Sequence, residues 1–282
     1  MFDVASRSDS FAPLQRAAGE LHVVFKRRGA QTVLDDLRQV GCLKARFPRV
    51  GPEEWTSAVM LNISGGVAGG DRLDAAFELR EGARATVTAQ AAERFYRALP
   101  GSDAALVRNR LHVAAGAYLE WLPQETLLFD RCALDRRLDV DLADDAWFLG
   151  VESLVFGRAA MGERVEHAWL RDSIRVRRGG HWLLHDAVRL DGAVDAALQR
   201  APIAGGARAV ATLVHVAPDA EAAVDRVRVA LADTTGEAGV SAWNGMLVAR
   251  ILIADAAALR RAVMTTLTVL RAPRALPRVW LC

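Results

Sequence analysis

The chain has 282 residues, 52% of them hydrophobic and 25% charged, with a formal net charge of +2. That length buries a sizeable core, as one large domain or two modest ones, and the near-neutral balance gives no reason to expect nucleic acid or an anionic membrane as partner. No apolar run approaches a membrane span, residues 1–10 lack the apolar core of a signal peptide, and Cys42, Cys132 and Cys282 are too scattered for a disulfide framework or a thiolate metal knuckle, so a cytoplasmic protein is expected.

Strand patterns dominate from residue 21 to 155. Residues 21–26 and 32–37 flank the turn Arg27-Arg28-Gly29-Ala30, a hairpin signal. Residues 42–47 and 55–63 follow, separated by Pro48, Gly51 and Pro52. Residues 73–79, 85–90, 105–113, 117–122, 126–129 and 133–140 then alternate with turn residues between them. Residues 146–156 are apolar on both faces, the pattern of a strand covered on both sides. Residues 165–171 and 174–178 lead into Gly179-Gly180, and 181–190 is the return strand. After a break at 200–206 the texture changes. Residues 209–216 read as strand, 219–231 as a helix capped by Asp219, 246–254 as strand, and 255–270 as a second capped helix.

The expected fold is therefore mainly β: an irregular superhelical, β-helix-like stack of strands with a small α+β C-terminal portion containing two helices. The expected organisation is one domain, 1–282, with a β body over about 20–200 and the α+β portion over about 206–282. No fixed-period repeat is visible, so any solenoid must be irregular.

Between the strands at 55–63 and 73–79 lie four glycines in six residues, Gly65, Gly66, Gly69 and Gly70, ending on Asp71. Glycines in such a cluster mark positive φ or close backbone approach. Gly65 and Gly70 occupy the two glycine positions of a phosphate loop, but Asp71-Arg72 follows where Lys-Ser or Lys-Thr would stand, and an anion there repels a nucleotide.

Strand parity exposes carboxylates among apolar neighbours. Asp71 is in phase with Leu73 and Phe77, Glu120 with Tyr118 and Leu122, Glu152 with Phe148 and Leu154, and Asp186 with Leu184 and Val188. A buried carboxylate must be paired, protonated, cation-bound or wet. Pairing with the plentiful arginines is one reading. The other is a file of oxygen ligands that hold a divalent cation without trapping it as thiolates would. His181 and His185 share a strand about 13 Å apart and cannot chelate together, while His22, His112, His167 and His215 are isolated. No Ser-His-Asp, Cys-His or metallohydrolase arrangement is readable.

Several stretches together resemble one family, the urease accessory protein UreD (also called UreH). Gly65-Gly66-Val67-Ala68-Gly69-Gly70-Asp71-Arg72-Leu73 is similar to its GG-x-x-GGD-x-L signature, and residues 90–97 (QAAERFYR) to its next block, where Glu93 departs from the family's small residue. Residues 119–126 resemble its LEWLPQE block, 156–163 its GR-x-x-x-GE block with Arg158, Gly162 and Glu163, and 276–281 its closing PR-[IV]-W. The blocks fall in family order across nearly the whole chain. The resemblance implies a non-enzymatic urease maturation chaperone that joins apo-urease to UreF and UreG, with Ni²⁺ passing transiently through an internal water-filled passage and no permanent cofactor. It maps Asp71, Glu120, Glu152 and Asp186 onto positions acidic in the family, as transit carboxylates. The alternative is a pure protein–protein scaffold with no direct nickel contact. The apolar, basic run 270–282 reads either as a docking edge or as core.

Overall fold

The computed structural model describes residues 15–51, 54–158 and 161–281. The readings made for residues 1–10, Pro52 and Cys282, and the interior of the 156–163 block at Ala159 and Ala160, lie outside the described residues.

The chain begins with a hairpin, β1 (Ala18–Arg28) and β2 (Gln31–Gly41), and crosses to β3 (Leu43–Arg46) and β4 (Thr56–Asn62) of a second sheet. From there it passes back and forth. It runs through β5 (Arg72–Leu79), β6 (Arg84–Ala89) and the short β7 (Glu93–Phe95), then β8 (Ala105–Val113), β9 (Tyr118–Leu122) and β10 (Thr126–Leu128). β11 (Ala133–Leu142) and β12 (Trp147–Phe156) follow, and the hairpin of β13 (His167–Arg178) and β14 (His181–Ala193) ends this part. Strands β5, β8, β11 and β13 stack in parallel on one side; β4, β6, β9 and β12 do so on the other. The expected irregular, β-helix-like stack is what forms, closed at neither edge.

Three crossings from first sheet to second, β5 to β6, β8 to β9 and β11 to β12, turn the same kind of corner. Leu79-Arg80-Glu81-Gly82-Ala83, Val113-Ala114-Ala115-Gly116-Ala117 and Leu142-Ala143-Asp144-Asp145-Ala146 are equivalent. In each, the alanine N–H donates to the carbonyl three residues back, at 3.0, 3.1 and 3.1 Å. Gly82 and Gly116 take positive φ at their corners, 65° and 61°, whereas Asp145 at the third does not. The corners sit on one another: Tyr118 N–H donates to Ala83 O (2.9 Å) and Trp147 N–H to Ala117 O (3.0 Å). Their unequal spacing along the chain is why no fixed period appears in the sequence.

The C-terminal portion does not build a sheet of its own. After α1 (Val194–Gln199), strand β15 (Ala209–Val216) pairs antiparallel with β12, and β17 (Met246–Ile253) and β16 (Glu237–Trp243) extend the same second sheet. A 3-10 turn (Ala220–Ala223) leads into α2 (Val224–Leu231); the Asp219 side chain makes no capping hydrogen bond, because the chain enters through this tighter turn. α3 (Ala256–Arg271) is capped as expected, with Asp255 Oδ1 accepting from Ala258 N–H at 2.7 Å. The short elements β7, β16 and α1 had no clear periodicity and were not foreseen.

Two cores result. One fills the space between the sheets and includes Phe25, Phe77, Trp121, Phe148 and Leu138. The other lies between the second sheet and α2 and α3, and includes Leu149, Val151, Leu213, Ile251 and Leu259. The second sheet is thus covered on both faces, which accounts for β12 being buried almost throughout. The outer face of the first sheet is left to solvent, so β5 and β11 alternate. Because Ala117 is fully buried at a stacked corner, Ala117→Leu overfills a site with no room to give. It is expected to cost about 1–3 kcal/mol, read as a lower midpoint in urea unfolding.

Candidate functional site

The second sheet is split along a seam. β12 is one strand, but its first half (Trp147–Gly150) pairs with β9 and its last part (Leu154–Phe156) with β10. Between β9 and β10 stands Pro123, which has no N–H to give a ladder. The neighbouring layer breaks at the same level, between β6 and β7 at Gln90, Ala91 and Ala92. Backbone groups freed at the seam are met by side chains: Leu122 O accepts from Thr88 Oγ1 (2.6 Å) and Trp280 Nε1 (3.2 Å). Gln124 donates to Val279 O (3.1 Å) and accepts from Arg260 (2.6 Å). Trp280 is 2% exposed and covers the seam from outside, while Ala272, Pro273, Ala275, Arg278 and Leu281 of the same run are exposed.

On the inner side of the seam lies a half-open cavity of about 380 Å³, lined among others by Asn62, Gly66, Glu93, Trp121, Arg136 and Glu152. A smaller one of about 130 Å³, lined by Glu152, Asp172, Asp186, Thr212 and Arg250, lies beyond it. Glu152 belongs to both. Its Oε1 accepts from Trp121 Nε1 at 2.8 Å and its Oε2 lies 2.6 Å from Arg136 Nη1. Arg136 also grips Asp172 through Nε and Nη2, both at 2.8 Å, and Thr126 Oγ1 at 2.7 Å. All three charged residues are 5–7% exposed. One guanidinium thus faces two carboxylates, leaving a surplus negative charge. Burial pushes the Glu152 carboxyl above its ordinary value; Arg136 opposes that rise and Asp172 adds to it. At the outer rim of the larger cavity, burial likewise raises the Glu93 carboxyl against hydrogen bonds from Arg94 N–H and Asn62.

Of the four acids picked out by parity, the structure brings together two. Asp186 lines the smaller cavity with Glu152 and pairs with Arg250. Asp71 lies elsewhere, on a recess lined by Arg16, Cys42, Ser64 and Tyr96. It is 5% exposed, and its oxygens accept from Ala17 N–H (2.8 Å) and Ala68 N–H (2.7 Å), tying the start of β1 to the glycine loop. Gly66 has φ of 143°, and a Cβ there would stand 2.3 Å from the Tyr96 ring; Gly65 and Gly70 also take positive φ, and Gly69 packs against Ser102 and Ala98.

Glu120 corrects the parity reading. It does share a face with Tyr118 and Leu122, but that is the outer face of the second sheet, buried by α3 and not by the other sheet. Arg271 grips it with Nε (2.9 Å) and Nη2 (3.0 Å), and Thr86 donates at 2.6 Å. Arg274 Nη1 lies 2.8 Å from Oε1 and adds a second cation beside it. Its guanidinium also stacks 3.5 Å over Trp55. In the 156–163 block, Arg158 pairs with Glu163 at 2.8 Å and covers Phe129, with Gly162 at φ 68°.

Two site residues escaped the sequence reading. Arg136 sits in the inward file Leu134, Leu138, Val140, Leu142, and Asp172 in the file Leu170, Ile174, Val176. The same parity test applied to basic residues, and to one continuous β13, finds both. The histidines stay apart: His215 is buried against Phe148 O and Trp147, His22 meets Glu78, and His185 stacks on Trp182. Among the described residues no three His, Cys, Asp or Glu side chains gather as a metal-holding group.

The Glu120 clamp joins residues far apart in the chain, so Glu120→Ala leaves the buried Arg271 without a counter-charge. A loss of about 3–5 kcal/mol is expected, measured as a fall in the denaturation midpoint, with the α3 amides losing hydrogen-exchange protection first.

The family model described as "UreD urease accessory protein" matches residues 17–281. A urease accessory protein UreD of Sinorhizobium medicae is 46% identical over 270 residues, covering 94% of this chain and 96% of the relative. One from Rhodopseudomonas palustris is 45% identical over 276 residues, covering 97% and 96%. One from a Methylobacterium species is 48% identical over 259 residues, covering 89% and 90%. With a match of that extent over the glycine loop, the seam and the closing Trp280, the chain belongs to the UreD family of urease accessory proteins.

Proposed function

We propose that this protein is a non-enzymatic factor in urease maturation, acting in the cytoplasm as a scaffold that joins apo-urease to UreF and UreG. In this reading Ni²⁺, as cargo, moves through the space between the two sheets. The observation that carries the passage is the pair of cavities that share Glu152 in their lining. Both have acids in their walls: Glu93 and Glu152 in the larger, Glu152, Asp172 and Asp186 in the smaller. Hard oxygen donors with a surplus negative charge attract a divalent cation, and their ion pairs with Arg136 and Arg250 keep the hold weak enough for release. Glu120 is assigned a structural task in this reading, as the anchor of α3, and Asp71 one of fixing the glycine loop.

A specific observation favours a second reading, the scaffold without nickel contact. Glu120, Glu152 and Asp186 each meet a guanidinium, which alone suffices to stabilise them in a folded protein.

Glu152→Gln and Asp186→Asn separate the two. A glutamine keeps one of the two acceptor positions, removes the charge at nearly the same volume, and leaves Arg136 paired with Asp172, so the fold and the assembly with UreF and UreG are expected to survive. The passage reading expects activation of co-expressed apo-urease to fall about tenfold at limiting nickel, the factor that ~1.4 kcal/mol of lost attraction gives. Full activation by both variants, with the complex intact by pull-down, leaves the scaffold reading standing.

A further inference from the structure

We infer that Arg136 is an internal plug: its guanidinium holds the two cavities apart and gives way when a divalent cation takes Glu152. This rests on the passage reading above and names the residue that controls it.

An arginine in the file Leu134, Leu138, Val140, Leu142 serves no packing need, since that file otherwise fills the apolar space between the sheets. Its placement matters instead. Arg136 lines the larger cavity, Asp172 the smaller, and Glu152 both. The Glu152–Arg136–Asp172 bridge therefore stands where the two spaces meet. It also spans the sheets: Asp172 and Arg136 belong to the first, Glu152 and Thr126 to the second.

The contacts are unequal. Asp172 is held by two parallel N–H donors of the planar fork, at 2.8 Å each, the stronger and more directional arrangement. Glu152 receives the single Nη1, which it shares with Thr126. A cation arriving along the larger cavity meets Glu152 and competes with Nη1 for the same oxygen. Like charges cannot both occupy it, and the weaker contact is the one to yield. The guanidinium keeps Asp172, so it need not leave the protein's interior or lose its counter-charge. The surplus carboxylate gives the dication a partner of its own: it takes Glu152, and Arg136 with Asp172 remains a neutral pair.

The test is a titration of Ni²⁺ alone into the untagged full chain purified with UreF, for the native protein, Arg136→Gln and Arg136→Gln with Glu152→Gln. Removing the competing cation is expected to tighten Ni²⁺ binding by at least about tenfold, and the added Glu152→Gln to abolish the gain. If Arg136→Gln does not fold, Arg136→Lys is expected to tighten binding in the same direction but less, because an ammonium paired with Asp172 cannot span both carboxylates and leaves Glu152 open. A folded Arg136 variant whose Ni²⁺ affinity equals the native value overturns the plug. The same preparations with apo-urease tell the two levels apart. Lost activation by Glu152→Gln together with unchanged Ni²⁺ affinity in the Arg136 variant removes the plug and keeps the passage. Full activation by Glu152→Gln removes both.

Discussion

A guanidinium buried between two apolar sheets has few ways to be stable. It must find a carboxylate for its charge and acceptors for its N–H groups, all at fixed distances, or it destabilises the fold by more than a domain's usual margin. Arg136 meets this with Asp172, Glu152 and Thr126, and in doing so it sets the separation and register of the sheets at that level. The other buried cluster, on the far side of the second sheet, has the opposite balance: Glu120 faces both Arg271 and Arg274. One sheet thus carries a surplus negative charge inside and a surplus positive charge outside. The inner cluster joins sheet to sheet, and the outer one joins sheet to helix.

The seam explains why these groups are not simply covered by more apolar packing. A continuous parallel ladder would place hydrophobic side chains at every inward position of β9 and β12. Pro123 ends β9 early, and the chain resumes as β10 three residues later, so β12 runs opposite an irregular stretch around Glu152. Side chains from the C-terminal segment, Trp280 above all, satisfy the backbone on the outer side. Nothing comparable fills the inner side, where the larger cavity lies. The blocks that resemble the family signature at 90–97 and 119–126 fall on this break, which ties the motif to a physical feature and not to a strand as such.

How much of this was legible in the sequence follows from what periodicity can and cannot say. Alternation located nearly every long strand, and the doubly apolar run at 146–156 correctly marked a strand with two covered faces. Parity also found that Glu152 and Asp186 point the same way as core residues. It could not say which covered face is which. In a sheet buried on both sides, Glu120 and Glu152 look alike from sequence, though one faces a helix and the other the inter-sheet space. Asp71 was lost for another reason: local amides of Ala17 and Ala68 claim its oxygens, a turn effect that strand phase does not register. Asp172 lies between the alternating runs 165–171 and 174–178, which form one strand, and Arg136 is basic, so parity among carboxylates does not reach it.

The choice of donor chemistry completes the account of the interior. Thiolates would hold a soft or borderline cation tightly, but neither described cysteine lines either cavity. Burial pushes Cys132 up to about 12 and raises Cys42 as well, with Asp71 and Glu93 adding to the latter. What the cavities offer instead is carboxylate oxygen already engaged by an internal cation. Such a cluster keeps each carboxylate beside a cation while leaving one negative charge in surplus. In a low-dielectric interior that pairing is the physical requirement for keeping the carboxylates charged at all, because one left bare costs more than its other contacts return.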